Sequence, residues 1–192
     1  MRKLFGILPL AIALTLSACS WDQSLHNVNA FDKYATLRFF ELYKTDIQYS
    51  RFDEEAGMRQ RDAYSPYMLP VRIADSDQWM DFTDDLGPKY LTFGKRLERD
   101  TFPAGLEPVL TFIAWSELPL EQRIQSREKL SARPEFTAIN ARLELERGSN
   151  EPLLVFTKSA LAFTRKPQYA VDYANARTML RTAAAWHEHP KE

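Results

Sequence analysis

The stretch Thr137-Ala-Ile-Asn-Ala-Arg-Leu-Glu-Leu-Glu146 decides the fold. Ile139, Ala141, Leu143 and Leu145 alternate with Asn140, Arg142, Glu144 and Glu146. A period of two puts one set on each side of a strand, apolar inward and polar outward. Arg147-Gly-Ser-Asn-Glu-Pro152 follows and is rich in turn-forming residues. Leu153 to Phe163 reads as a second strand, so the pair predicts an antiparallel hairpin with one solvated face.

Working outward, Pro108-Val-Leu-Thr-Phe-Ile-Ala-Trp115 is a continuous apolar run and reads as a buried strand. Leu118 to Leu130 is charged, with Leu120, Ile124, Arg127 and Leu130 at helical spacing. Tyr169 to His187 is alanine-rich and predicts a helix. Asp75 or Ser76 is placed to cap a helix running to Leu86, with Trp79, Phe82 and Leu86 on one face and Gly87-Pro88 as its stop. Tyr34 to Phe52 is rich in aromatic residues and predicts strand, Asp53 to Ser65 a charged loop, and Tyr67 to Ile73 a short strand. Tyr90 to Leu97 fits a strand or a helical turn, and Phe102 to Leu106 a turn. The fold class is therefore α+β, an antiparallel sheet of about five or six strands packed with two or three helices.

The 192 residues carry 25 Lys+Arg against 26 Asp+Glu, a net charge of −1. A 45% hydrophobic content is that of one folded domain. The balanced charge argues against a nucleic-acid partner, which needs clustered excess cations. One cysteine, Cys19, excludes an intramolecular disulfide and a zinc site with two thiolates.

That cysteine closes an ordered series. Arg2 and Lys3 are basic. Leu4 to Leu16 is apolar apart from Gly6, Pro9 and Thr15, and shorter than the roughly 20 residues of a spanning helix. The order is that of a secretory signal. Leu16-Ser17-Ala18-Cys19 resembles the lipobox of bacterial lipoproteins. The resemblance implies cleavage before Cys19, diacylglycerol on its sulfur and further acylation of the new amino terminus. Ser20 in the next position implies sorting to the outer membrane, with the inner membrane as the alternative. The expected organisation is a signal peptide at 1–18, a lipidated tether at 19–33 and a single periplasmic domain at 34–192. Extended, the polar stretch Ser20 to Asp32 reaches at most roughly 45 Å, and Trp21 is suited to headgroup depth.

Catalytic chemistry is sparse. The three histidines are His26 in the tether and His187 and His189 at the far end, so a nucleophile-histidine pair has no natural place. Neither a phosphate-binding glycine loop nor a His-Glu-x-x-His metal motif occurs. His187-Glu188-His189 offers two imidazoles to a metal, or is a polar chain end. Asp75, Asp77, Asp81, Asp84 and Asp85, with Glu117, are candidate carboxylates for glycan hydrolysis, or else a solvated helix start. Trp115 reads as a core anchor or as a stacking surface, and Tyr64 and Tyr67 beside Pro66 as strand entry or contact surface. No metal and no cofactor is expected.

Two further likenesses bear on function. Gly94-Lys-Arg-Leu97, the approach Phe112-Ile-Ala-Trp115, Pro119, the alternating strand and Leu153-Leu-Val-Phe156 resemble the CsiV family of periplasmic peptidoglycan-associated proteins. Thr111 and Phe112 stand where that family has a histidine, and its Arg-Tyr-Leu-His hairpin pattern is missing. Thr36-Leu-Arg-Phe-Phe-Glu-Leu42 is similar to an early strand of the type VI secretion outer-membrane lipoproteins. The first implies a non-enzymatic envelope role with Trp115 as contact residue. The second implies a subunit of a secretion or export apparatus. The expected partners are the membrane, through lipid on Cys19, and an envelope protein or peptidoglycan. A carboxylate-dependent envelope glycan hydrolase is the catalytic alternative.

Overall fold

The hairpin read from residues 137–163, of which 158–163 lie outside the described residues, forms the margin of a six-stranded antiparallel sheet. The computed structural model describes residues 40–60, 66–84, 91–157 and 167–190. The expected signal peptide and tether, Tyr64, Asp85 and Leu86 lie outside these residues. Residues 40–192 form one compact unit.

In chain order, β1 is Phe40–Tyr43, β2 Gln48–Asp53, β3 Met58–Arg59, β4 Tyr67–Met68, β5 Val71–Ala74, β6 Trp79–Asp84, β7 Leu91–Thr92 and β8 Leu97–Glu98. Three helices follow, α1 Glu107–Ser116, α2 Leu120–Ser131 and α3 Pro134–Thr137. Then come β9 Ala141–Leu145, β10 Pro152–Thr157, β11 Gln168–Asp172 and α4 Tyr173–Glu188. The six-stranded sheet runs β3-β2-β11-β10-β9, with β4 also paired to β2. The second sheet runs β1-β5-β6-β7, with β8 on β6. Every pairing is antiparallel. The architecture is α+β as expected, its strands shared between two sheets and its described helices numbering four.

Leu143 and Leu154 face each other across the hairpin, both buried. With Phe156 and Val171 they form the sheet's side of the main core, which α1, α3 and α4 fill with Val109, Phe112, Trp115, Phe136, Met179 and Ala183. An aromatic chain extends it. Tyr49 stacks on Tyr67 at 5.3 Å, its cross-strand partner, and meets Phe93 at 4.8 Å. The outer strand β9 lies beside α2. The Leu143 N–H donates to Ser131 Oγ at 2.9 Å, and Arg127 Nη1 bonds Glu144 at 3.1 Å.

Four expected elements differ. Residues 108–115 are helical, not a strand. Pro108 sits in the first turn, where its missing N–H costs nothing. Pro108, Val109, Phe112 and Trp115 are the buried positions, a helical repeat inside a run too apolar to show it. The predicted helix at 76–86 is instead the β5–β6 hairpin. Asp75 to Gln78 make its turn, with Asp77 N–H donating to Ala74 O at 2.8 Å and Asp77 at φ 55. Asp and Ser serve turns by the same local bonding that serves caps. Gln168–Asp172 is a strand, so the last helix starts later than predicted, capped by Asp172, whose carboxylate accepts the Asn175 N–H at 2.9 Å. The expected loop at 53–65 holds the short strand β3.

Phe112 is fully buried between α1 and the sheet. Phe112→Ala is expected to lower unfolding free energy by about 3–5 kcal/mol, read by urea denaturation. A loss below about 1 kcal/mol would show that the helix does not anchor the core.

Candidate functional site

The six-stranded sheet curls. β3 and β9 are at opposite margins, yet the Arg147 N–H, just after β9, donates to Gly57 O at 2.8 Å. Gly57 occupies φ +64 at the tip of the β2–β3 hairpin, a left-handed conformation natural to glycine. The hairpin therefore bends across the sheet face that the helices leave free.

Arg59 fastens it there. Its Nε and Nη2 bond both oxygens of Glu146, at 3.1 and 2.9 Å, and its main-chain N–H donates to Glu146 Oε1 at 3.0 Å. Nη1 reaches Asp172 Oδ2 at 3.2 Å, and Nη2 also bonds Glu151. Glu146 is only 3% exposed. The Arg59 donors hold its carboxyl down at about 2, against burial, which acts the other way; the Arg59 main-chain N–H and charge and the Ser149 hydroxyl assist. Glu146 in turn raises the Arg59 guanidinium above its ordinary value, through hydrogen bonding that outweighs desolvation.

Beneath the bend lies a second apolar cluster, Phe52, Leu153, Val155 and Ala170, each at most 7% exposed. Arg142 borders its other side. It bonds Glu144 at 2.8 Å and Gln168 Oε1 at 2.7 Å, and lies 5.7 Å over the Phe52 ring. Gln168 Nε2 donates to Glu54 at 2.9 Å. A cleft of about 570 Å³ opens here, with Arg51, Asp53, Glu54, Glu55, Gln60 and Gln168 on its walls. Its size is that of a small-molecule site, and Phe52, Thr157 and Pro167 complete a lining that mixes apolar surface with charged and amide groups.

The carboxylates expected to act on glycan are placed otherwise. Asp81 gives both oxygens to its cross-strand neighbour Arg72, at 2.8 and 2.5 Å. Asp77 accepts from Arg99 at 2.5 Å and from the Trp186 indole at 2.9 Å. Arg99 also donates to the Trp186 and His187 carbonyls, closing the end of α4. Glu117 accepts from the Tyr173 hydroxyl at 2.6 Å, Asp75 is exposed, and the Asp84 side chain lies outside the described residues. Asp77 and Asp81 thus have both oxygens committed to protein donors.

Trp115 is a core anchor and no contact surface: it is 1% exposed and its indole N–H donates to Arg123 O at 3.1 Å. Tyr67 is half-buried against Tyr49. The His187 ring stacks on Phe102 at 4.4 Å. Among the described residues no group of three or more His, Cys, Asp and Glu could hold a metal ion. None of their helices is long and apolar enough to cross a membrane. The Arg59 cluster escaped the sequence reading because its partners lie 87 to 113 residues away. Its one local trace was the glutamate ending the alternating strand.

No family model and no curated protein matches the chain. Among solved structures, complement regulator-acquiring surface protein 3 of Borrelia burgdorferi is similar over 72% of this chain and 97% of its own. The identity is 12% and the TM-score 0.31, too low for the likeness to carry an argument about fold or role.

Two predictions concern the charges. Because Glu146 is held at about 2, below its unfolded value of 4.5, its contribution is full above 4.5 and lost as pH falls towards 2. Glu146→Gln is expected to cost of order 2 kcal/mol at neutral pH and to flatten the acid limb of stability against pH. An unchanged acid limb would contradict the assignment. Asp77→Ala, which leaves Arg99 with carbonyl partners alone and the Trp186 indole N–H without its acceptor, is expected to cost about 2 kcal/mol; under about 0.5 kcal/mol by the same denaturation assay would mean that the carboxylate holds nothing.

Proposed function

We propose that this chain is a lipid-anchored component of the Gram-negative cell envelope that works by binding, its domain in the periplasm and its contact surface at the polar cleft beside the β2–β3 hairpin. The observation that carries the anchor is Leu16-Ser17-Ala18-Cys19 placed after the basic and apolar run. Cys19 would bear the lipid. Two or three acyl chains hold a protein stably, where a single chain is marginal. Confinement to one surface then raises the domain's effective concentration towards its neighbours. Ser20 supports the outer membrane as the destination.

Binding is preferred over glycan hydrolysis because Asp77 and Asp81 are engaged by Arg99 and Arg72. The cleft presents carboxylates, a guanidinium and amides together, a mixture suited to a polar protein surface. A subunit role in a secretion or export apparatus is a special case of this reading.

Membrane fractionation and cross-linked pull-down, comparing wild type with Cys19→Ala, test it. Wild type is expected to float with outer-membrane vesicles and to capture an envelope protein. The alanine variant is expected in the soluble fraction with capture reduced. Equal membrane association of the two would remove the anchor. Retention on purified peptidoglycan sacculi without protein capture would replace the protein partner with the cell wall.

A further inference from the structure

The β2–β3 hairpin forms one wall of the cleft. Arg51, Asp53, Glu54 and Glu55 belong to its first arm and turn, and Gln60 to its second arm. Its bonds to the far side of the sheet are polar: the Arg59 side chain, Arg147 N–H to Gly57 O, Arg59 N–H to the Glu146 carboxylate, and at the turn Glu54, which meets Arg142 of β9 at 3.7 Å and accepts from Gln168 at 2.9 Å. No apolar side chain of the β3 arm takes part in burial: Met58 is 43% exposed. The apolar cluster beneath is also separate from the main core, so it ties the hairpin to no helix. A flap fastened by polar bonds over a small apolar floor opens as a local unit when those bonds break, while the rest of the sheet stays paired.

The geometry points to a regulated site: the β2–β3 hairpin is a latched flap, Arg59 is its bolt, and release of the bolt widens the cleft that Phe52 and the hairpin's charged residues line. This rests on reading that cleft as the contact surface. At the latch, outside the cleft's own lining, one guanidinium faces three carboxylates, Glu146, Glu151 and Asp172, so the cluster carries excess negative charge. A partner that binds the widened cleft better than the closed one shifts the latch towards release, and this couples binding to opening.

The latch can be locked as well as cut. A Cβ built on Gly57 lies 3.5 Å from the Arg147 Cβ, within the span of a disulfide. The experiment uses the full chain with Cys19→Ala, so that the engineered thiols are alone. Amide hydrogen exchange is measured for Arg59 and Arg147, against Leu154 and Met179 as core references. In Arg59→Met the two latch amides are expected to exchange at least about tenfold faster with the references unchanged. In Gly57→Cys/Arg147→Cys, compared with and without reductant, oxidation is expected to slow the Arg59 amide towards the core rates. Equal acceleration of all amides in Arg59→Met, or none, would overturn the latch. Identical exchange in the oxidised and reduced pair would overturn the flap. These measurements need no partner, so they stand whatever the pull-down returns. Equal partner capture by the oxidised and reduced pair would overturn the regulation alone.

Discussion

A polar clasp centred on the Arg59 guanidinium joins the two margins of the six-stranded sheet, with the Arg147 N–H to Gly57 O bond and the Glu54–Arg142 pair beside it. Without that clasp, β3 and the β9–β10 turn would be separate ends of a twisted ribbon, with Phe52, Leu153, Val155 and Ala170 less covered. Twist alone rotates neighbouring strands by about 20–25°, which coils a sheet but does not close it. Closure needs a bond between non-neighbours. Here the longest flexible cationic side chain supplies it, reaching carboxylates at the ends of β9 and β11 and in the turn between β9 and β10. Asp172 shows how closely this bond is tied to the rest. One of its oxygens meets Arg59 and the other caps α4, so curl and helix start from the same residue.

The same device recurs. Arg72 and Asp81 pin the β5–β6 hairpin across the strands. Arg99 and Asp77 pin its turn to the end of α4. Each pair is partly or wholly removed from water, where a lone charge is expensive and a paired, hydrogen-bonded one is tolerated. The near-zero net charge of the chain thus reflects matched internal pairs as well as a mixed surface. Carboxylates that look available in the sequence are spoken for in the fold.

How much could be read beforehand follows from this. The β9–β10 hairpin was legible because one face of it is polar, and alternation survives in the letters. Residues 108–115 were not, because apolar Leu110, Ile113 and Ala114 also occupy the helix's less buried positions and mask its periodic signal; only Pro108 in the first turn spoke for it. The Asp75-Ser-Asp77 sequence was ambiguous in kind, since caps and tight turns draw on the same residues. Trp115 was correctly offered as a core residue, and its alternative as a contact surface fails on burial. The cleft was not legible at all. Its walls come from β2, the turn after it, Gln60, and the ends of β10 and β11, which register and curl bring together, and single-sequence patterns encode neither across such distances.

The edge of β9 deserves a last consequence. A marginal strand normally offers a row of unused N–H and C=O groups, which another chain can extend into a shared sheet. Ser131 takes the Leu143 N–H, and α2 lies alongside through Arg127 and Glu144. The row is interrupted at its middle by a hydroxyl on a helix. A strand from a second copy therefore meets a broken row along β9, and pairing with it would first have to displace the Ser131 hydroxyl from the Leu143 N–H.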